Sequence, residues 1–120
     1  MNPKIGLIED DATMRSLLQT LFKLEGYQPV VFAPSTLSEV VEQVLQERLG
    51  ALLVDVHLKT FNGMDLTREI RKKEDFSQPV IVMASGMDLS VECKQAGADH
   101  FVLKPYMPQE LIDWLKQHIS

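Results

Sequence analysis

Acidic, hydroxyl and ammonium side chains follow short apolar runs at four places in this sequence. In chain order they are Glu9 with Asp10, Asp55, Ser85 and Lys104. If the apolar runs are parallel strands joined by helices, their carboxyl ends lie along one rim of a sheet and these residues meet there. Carboxylates sharing one crevice call for a cation, and a hydroxyl and an ammonium beside them suit chemistry on a phosphoryl group.

Electrostatics favours a metal ion at this rim. Two unit charges about 4 Å apart repel by roughly 4 kcal/mol at an effective dielectric of about 20, so three ionised carboxylates need compensation. Mg²⁺ prefers oxygen ligands and keeps waters, which leaves room for phosphate oxygens. Taken alone, an acidic run such as 9–11 is most often a solvated helix start, and Asp55 could be a capping residue. Their convergence with Lys104 favours the metal site.

Hydrophobic periodicity predicts five strand and helix units. The predicted strands cover residues 4–8, 28–32, 51–54, 80–84 and 101–103. The predicted helices cover 13–24, a stripe over 37–45 that ends at Gly50, then 64–73, a weaker segment at 90–95, and 109–119. Because parallel crossovers need a covering helix and are right-handed, the prediction is a flavodoxin-like (βα)5 three-layer α/β sandwich. Its parallel five-stranded sheet has the order 2-1-3-4-5, with the switch point between strands one and three.

Length and composition indicate a single domain over residues 1–120, without a membrane span. Hydrophobic residues make up 45% of the chain and charged residues 24%, and the net charge of -5 argues against direct nucleic-acid binding. The single cysteine, Cys93, cannot form an internal disulfide. Strand-like sequence begins within a few residues of the N-terminus and leaves no room for a signal peptide, so we expect a cytoplasmic location.

Over nearly its whole length the chain resembles the receiver domain of two-component response regulators. The resemblance rests on LIEDD after the first predicted strand, VDVHLKTFNG at the third, MASG at the fourth and FVLKP at the fifth. The segment EDDATMR is especially similar to the single-domain chemotaxis regulators. That similarity places the acidic pair at Glu9 and Asp10 rather than at Asp10 and Asp11.

The resemblance implies that Asp55 accepts a phosphoryl group from a phosphohistidine on a sensor histidine kinase or histidine phosphotransfer protein. It also implies that Mg²⁺ is held by Glu9, Asp10, Asp55 and the main-chain oxygen of His57. Lys104 would neutralise phosphoryl oxygens during the transfer. By the same resemblance the domain is no enzyme in the ordinary sense and catalyses only its own phosphorylation and dephosphorylation.

Two further residues are implied to form a switch. Ser85 would bond the new phosphoryl group through its hydroxyl, and Phe101 would rotate inward as Ser85 moves. The family pattern also places a cis peptide between Lys104 and Pro105. The switched surface would dock a downstream effector protein, a covalently linked output domain or a second copy of the chain.

Three features depart from the family pattern. Lys59 stands where the family commonly has proline, which adds a positive charge near the site. The stretch from Ser85 to Gly97 is about three residues short, which removes nearly a turn of helix by the usual residues per turn. Met87 occupies a position where the family tunes hydrolysis, so we expect an altered phosphoryl lifetime.

Other functions remain open at this point. The main alternative is a pseudo-receiver that binds partners without phosphorylation, against which the retained Asp10, Asp55, Ser85 and Lys104 argue. A metal-dependent phosphatase typically carries an Asp-x-Asp pair, and here His57 replaces the second acid. A flavin-binding domain of this fold class needs a phosphate loop after the first strand, where the acidic run 9–11 would repel phosphate.

Overall fold

Within residues 2–33 and 35–119, which the computed structural model describes, five β-strands alternate with five α-helices. Residues 1, 34 and 120 of the predicted domain lie outside this described part. The strands are β1 Lys4–Ile8, β2 Gln28–Val31, β3 Ala51–Asp55, β4 Val80–Ser85 and β5 His100–Leu103. The helices are α1 Ala12–Leu24, α2 Leu37–Leu45, α3 Gly63–Arg71, α4 Ser90–Ala96 and α5 Pro108–His118.

The strands form one parallel sheet in the order β2-β1-β3-β4-β5, which confirms the predicted flavodoxin-like α/β fold. At the carboxyl rim, Ile8 pairs with Val54, and one step further along β3 Asp55 pairs with Ala84. This register brings the residues that follow β1 next to the end of β3. The topological switch point therefore lies where Glu9 and Asp55 stand.

Successive residues of the central strands face opposite layers of helices. Leu53 packs in a cluster with Leu18 of α1 and Leu111 of α5. Leu52 and the other inward residues of the opposite face pack with α2, α3 and α4. Because both faces are covered, the central strands have no polar face, which explains their continuous apolar runs.

Several predicted boundaries were wrong by one or two residues and the end of α2 by five, and pairing in the sheet accounts for the main differences. Asp55 and Ser85 belong to β3 and β4, because each still pairs with a residue of the neighbouring strand. β2 stops at Val31. Gly50 does not end α2 but already hydrogen-bonds within the sheet, and α5 starts at Pro108, a residue suited to a first helical turn.

No helix in the described ranges 2–33 and 35–119 is long and apolar enough to cross a membrane.

Candidate functional site

A lysine bridges two carboxylates at the carboxyl rim of the sheet. The Lys104 ammonium lies 3.0 Å from Glu9 Oε1 and 3.2 Å from Asp55 Oδ2. Glu9 follows β1, Asp55 ends β3 and Lys104 follows β5, so the sheet brings together residues that are far apart in sequence. Glu9 is only 5% exposed, and the ammonium is the positive partner that makes its burial tolerable.

The pKa values of Glu9 and Lys104 are both raised, for different reasons. Burial and the adjacent Asp55 carboxylate raise the pKa of Glu9 from 4.5 to about 7, although the Lys104 ammonium acts in the opposite direction. For Lys104, burial acts to lower the pKa, but the hydrogen bond to Glu9 and the charges of Asp55 and Glu9 outweigh it and the pKa is raised. Lys104 is therefore charged at neutral pH, whereas Glu9 changes between its protonated and ionised forms near pH 7.

The three consecutive acids after β1 have three different environments. Asp11 caps α1, since its carboxylate accepts the main-chain N–H groups of Thr13 at 2.9 Å and Met14 at 3.1 Å. Asp10 is half-buried and accepts the main-chain N–H of Lys59 through Oδ2 at 2.8 Å. Only Glu9 reaches the Lys104 ammonium. The helix-start interpretation thus holds for Asp11 but not for Glu9.

The residues predicted to hold Mg²⁺ fit that ion by donor type. Glu9, Asp10 and Asp55 offer carboxylate oxygens, and Glu9 Oε2 is buried without a hydrogen-bond partner. In the described part of the chain, however, no three His, Cys, Asp or Glu side chains are arranged to hold a metal ion. The Lys104 ammonium and the Lys59 N–H instead contact the oxygens of this group.

His57, whose main-chain oxygen is the remaining predicted ligand, lies in the loop after β3. Its side chain is exposed, and the residue forms an isolated antiparallel bridge with Asn62. That bridge folds the loop back before α3 begins. The loop backbone therefore stays close to the rim of the sheet.

The two predicted switch residues occupy the neighbouring strands β4 and β5. Ser85 is fully buried, its hydroxyl accepts the main-chain N–H of Met87 at 3.0 Å, and its main-chain oxygen accepts the N–H of Lys104 at 2.8 Å. Phe101 is half-buried and packs against the cluster that covers the α2, α3 and α4 face. The predicted cis peptide between Lys104 and Pro105 is confirmed.

Two residues that shape the site were not predicted. Gly63 starts α3 so close to β3 that a Cβ atom would lie 2.3 Å from the main-chain oxygen of Asp55. Tyr106 lines a small cavity under the rim together with Glu9 and Lys104. In the sequence, only the position of Tyr106 two residues after Lys104 indicated that it could lie near the site. A groove of about 1020 Å³ lies at the opposite end of the sheet and contains none of these charged groups.

The comparison with protein families identifies the family of this chain. Residues 5–116 match the family model of the response regulator receiver domain. The chain belongs to this family. Receiver domains are signalling modules of two-component systems rather than classical enzymes, and they work with histidine kinases and output domains.

Curated relatives of this receiver domain are longer proteins. It is 28% identical over 114 residues to the DNA-binding response regulator MtrA of Mycobacterium tuberculosis (strain ATCC 25618 / H37Rv), with 93% of this chain and 48% of MtrA covered. It is 29% identical over 112 residues to the aerobic respiration control protein ArcA of Escherichia coli (strain K12), with 91% and 45% covered. The chain thus spans about half the length of these relatives.

Solved structures agree with the family. The receiver domain of sensor histidine kinase PA1611 from Pseudomonas aeruginosa PAO1 has a TM-score of 0.83, 26% identity and 98% coverage of both chains, and it holds a magnesium ion in its active-site cleft. A CheY-like receiver domain protein from Methanospirillum hungatei JF-1 has a TM-score of 0.85 and 25% identity, covering 98% of this chain and 93% of that one. The chemotaxis regulator CheY4 of Vibrio cholerae, at 18% identity and a TM-score of 0.85, shares the fold.

Proposed function

We propose that this receiver domain is activated by phosphorylation of Asp55, with a phosphohistidine of a sensor histidine kinase or histidine phosphotransfer protein as the donor. One observation carries the proposal: the Lys104 ammonium is 3.2 Å from Asp55 Oδ2 and 3.0 Å from Glu9 Oε1 at the carboxyl rim. Residues 1–120 would act as one module. The location of the module would be the cytoplasm, a compartment that suits its free, buried Cys93.

The transfer needs position and charge more than covalent help. A carboxylate oxygen of Asp55 attacks the phosphorus atom, the phosphorus–nitrogen bond breaks, and its electron pair remains on the imidazole nitrogen of the donor. Lys104 neutralises negative charge on the transferred group. Glu9, Asp10, Asp55 and the main-chain oxygen of His57 would hold Mg²⁺, which when bound supplies further positive charge beside the phosphoryl oxygens.

The modification is reversible without another enzyme. Attack of water on the phosphorus atom releases inorganic phosphate and restores the Asp55 carboxylate. The domain would thus catalyse only its own phosphorylation and dephosphorylation. Met87, which is 61% exposed two residues after Ser85, stands where it can influence the access of water.

Phosphorylation adds about -1.5 to -2 charge and strong acceptor oxygens at the rim, which can bias a two-state surface. The Ser85 hydroxyl would exchange its bond with the Met87 N–H for one with the phosphoryl group, and the half-buried Phe101 would move inward. The changed surface would dock an effector protein, a linked output domain or a second copy of the chain. The net charge of -5 supports an output through protein contact rather than direct nucleic-acid binding by this segment.

Incubation with acetyl phosphate and Mg²⁺, followed by intact-mass measurement, tests the proposal. We expect one phosphoryl group on the parent protein and on Asp11→Asn, a control that keeps a capping residue at the start of α1. We expect none on Asp55→Asn or in the presence of EDTA. Phosphorylation of Asp55→Asn would refute the assignment. Absence of phosphorylation in every sample would favour the pseudo-receiver.

A further inference from the structure

A small cavity lies directly beneath the charged rim. Its volume is about 10 Å³, roughly the room for one water molecule. The charged groups at its edge are those of the proposed site, Glu9, Asp55 and Lys104. The other walls are aliphatic or aromatic and come from Ile8, Leu18, Leu53, Ala84 and Tyr106.

One wall of the cavity is formed by Tyr106, which follows Lys104 by two residues. Exposure alternates along this segment, with Lys104 and Tyr106 partly buried and Pro105 and Met107 exposed. The side chains of Lys104 and Tyr106 both line the cavity on either side of the cis Lys104–Pro105 peptide. The Tyr106 ring packs against the core cluster that contains Leu18.

Tyr106 is also close enough to the carboxylates to sense their charge. Burial raises the pKa of the Tyr106 hydroxyl, and the negative charges of Glu9 and Asp55 raise it further. Glu9 Oε2 is buried without a hydrogen-bond partner, and Glu9 as a whole is only 5% exposed. The cavity therefore leaves room for about one water molecule at most on the inner side of the charged group.

We propose that Tyr106 is a positioning residue for phosphoryl transfer, whose ring walls off the inner side of this cavity and thereby holds the Lys104 ammonium against the Asp55 carboxylate. The inference rests on the proposed function. An ion pair is stronger where water is excluded, because the effective dielectric is lower. With the ring removed, water enters beside the flexible lysine stem, and the ammonium acquires alternative partners.

The first measurement does not depend on phosphorylation. Lys104 is labelled with a pulse of an amine-reactive reagent, and its modified fraction is read by peptide mass spectrometry against exposed Lys23 as the internal standard. We expect Lys104 in Tyr106→Ala to be labelled about fivefold faster than in the parent, the factor for one modest ion-pair contact. Tyr106→Phe, which keeps the ring, should match the parent.

The second measurement is the rate of phosphorylation by acetyl phosphate in the same variants. We expect Tyr106→Ala to be slower by about the same fivefold factor and Tyr106→Phe to be unchanged. Tyr106→Leu, which keeps part of the apolar wall, should fall between them. If Tyr106→Ala loses its far-ultraviolet circular dichroism, the Tyr106→Leu variant provides the comparison.

The outcomes separate the inference from the function on which it rests. Parent-like labelling of Lys104 in a folded Tyr106→Ala or Tyr106→Leu protein would overturn the inference, even if the parent is phosphorylated. A Tyr106→Phe variant that behaves like Tyr106→Ala would also overturn it, because the hydroxyl rather than the ring would then be responsible. Faster labelling of Lys104 in Tyr106→Ala, together with no phosphorylation of the parent, would support the role of Tyr106 in holding Lys104 and refute the proposed function.

Discussion

Glu9 should make the metal-free protein less stable as the pH rises, and Glu9→Gln should remove this effect. Burial and the adjacent Asp55 carboxylate raise the pKa of Glu9 from 4.5 to about 7. Between these values the folded chain keeps a proton that the unfolded chain has released. Stability therefore falls as the pH rises from 4.5 towards about 7.

The size of this effect follows from the two pKa values. The difference between about 7 and 4.5, at about 1.4 kcal/mol per pH unit, amounts to about 3 kcal/mol over the whole range. From about pH 5.5 to about pH 8 the expected loss is roughly 2 kcal/mol, since part of the range lies below this window. Solvent screening is small because Glu9 is 5% exposed.

Urea unfolding in EDTA, followed by circular dichroism near pH 5.5, 7 and 8, measures this loss. Glu42→Gln, at an exposed position of α2, is the control and should behave like the parent. His100 contributes the opposite dependence, because burial and the charges of His118 and Lys94 lower its pKa, but this contribution is common to all three proteins. Parallel stability curves for the parent and Glu9→Gln would refute the reasoning.

Mg²⁺ provides a second arm of the same experiment. Because a metal ion binds the deprotonated carboxylate, we expect Mg²⁺ to stabilise the parent more near pH 8 than near pH 5.5. The same comparison in Glu9→Gln should show a weaker pH dependence of the stabilisation. Equal stabilisation of the parent at both pH values would show that Glu9 ionisation is not linked to metal binding.

Two further substitutions test packing at the two ends of the sheet, Gly63 beside the rim and Arg71 at the opposite end. Gly63→Ala should destabilise the protein by about 1 to 3 kcal/mol because its Cβ would collide with the main chain of β3, whereas Gly86→Ala has open space and should stay within about 0.5 kcal/mol. Arg71→Lys should lower the free energy of unfolding by about 2 to 4 kcal/mol, because the guanidinium donates to two main-chain carbonyls, a side-chain amide and a carboxylate. Its control, Arg68→Lys on the exposed face of α3, should be nearly neutral. Urea midpoints decide both; equal effects within either pair would contradict the corresponding explanation.

The order of the elements was predictable because each is encoded locally. Central strands covered on both faces are continuous apolar runs, and the helices α1 and α2 repeat apolar residues at helical spacing. Exact ends were less predictable, because a strand ends where its partner ends. Asp55 is part of β3 for that reason, since Ala84 of β4 lies beside it.

The residues of the site were predictable, but the contacts that each of them makes were not. From three consecutive acidic residues, residue type alone does not tell which one caps the helix and which one joins the charged cluster. The packing of α1 makes Asp11 the cap and leaves Glu9 facing Lys104. This difference depends on the direction of the main chain between β1 and α1, which is set by tertiary packing.

By itself, the sequence determined the succession of strands and helices and the residues that stand at the strand ends, because apolar periodicity is local. The strand order was predicted only as the usual one for five parallel strands. The tertiary structure alone decided the contacts at this rim. It placed the Lys104 ammonium between Glu9 and Asp55, set Gly63 against the main chain of β3 and put Tyr106 under the charged group. These contacts depend on distances of a few ångströms between distant segments, and such distances are fixed only when both helical layers pack onto the sheet.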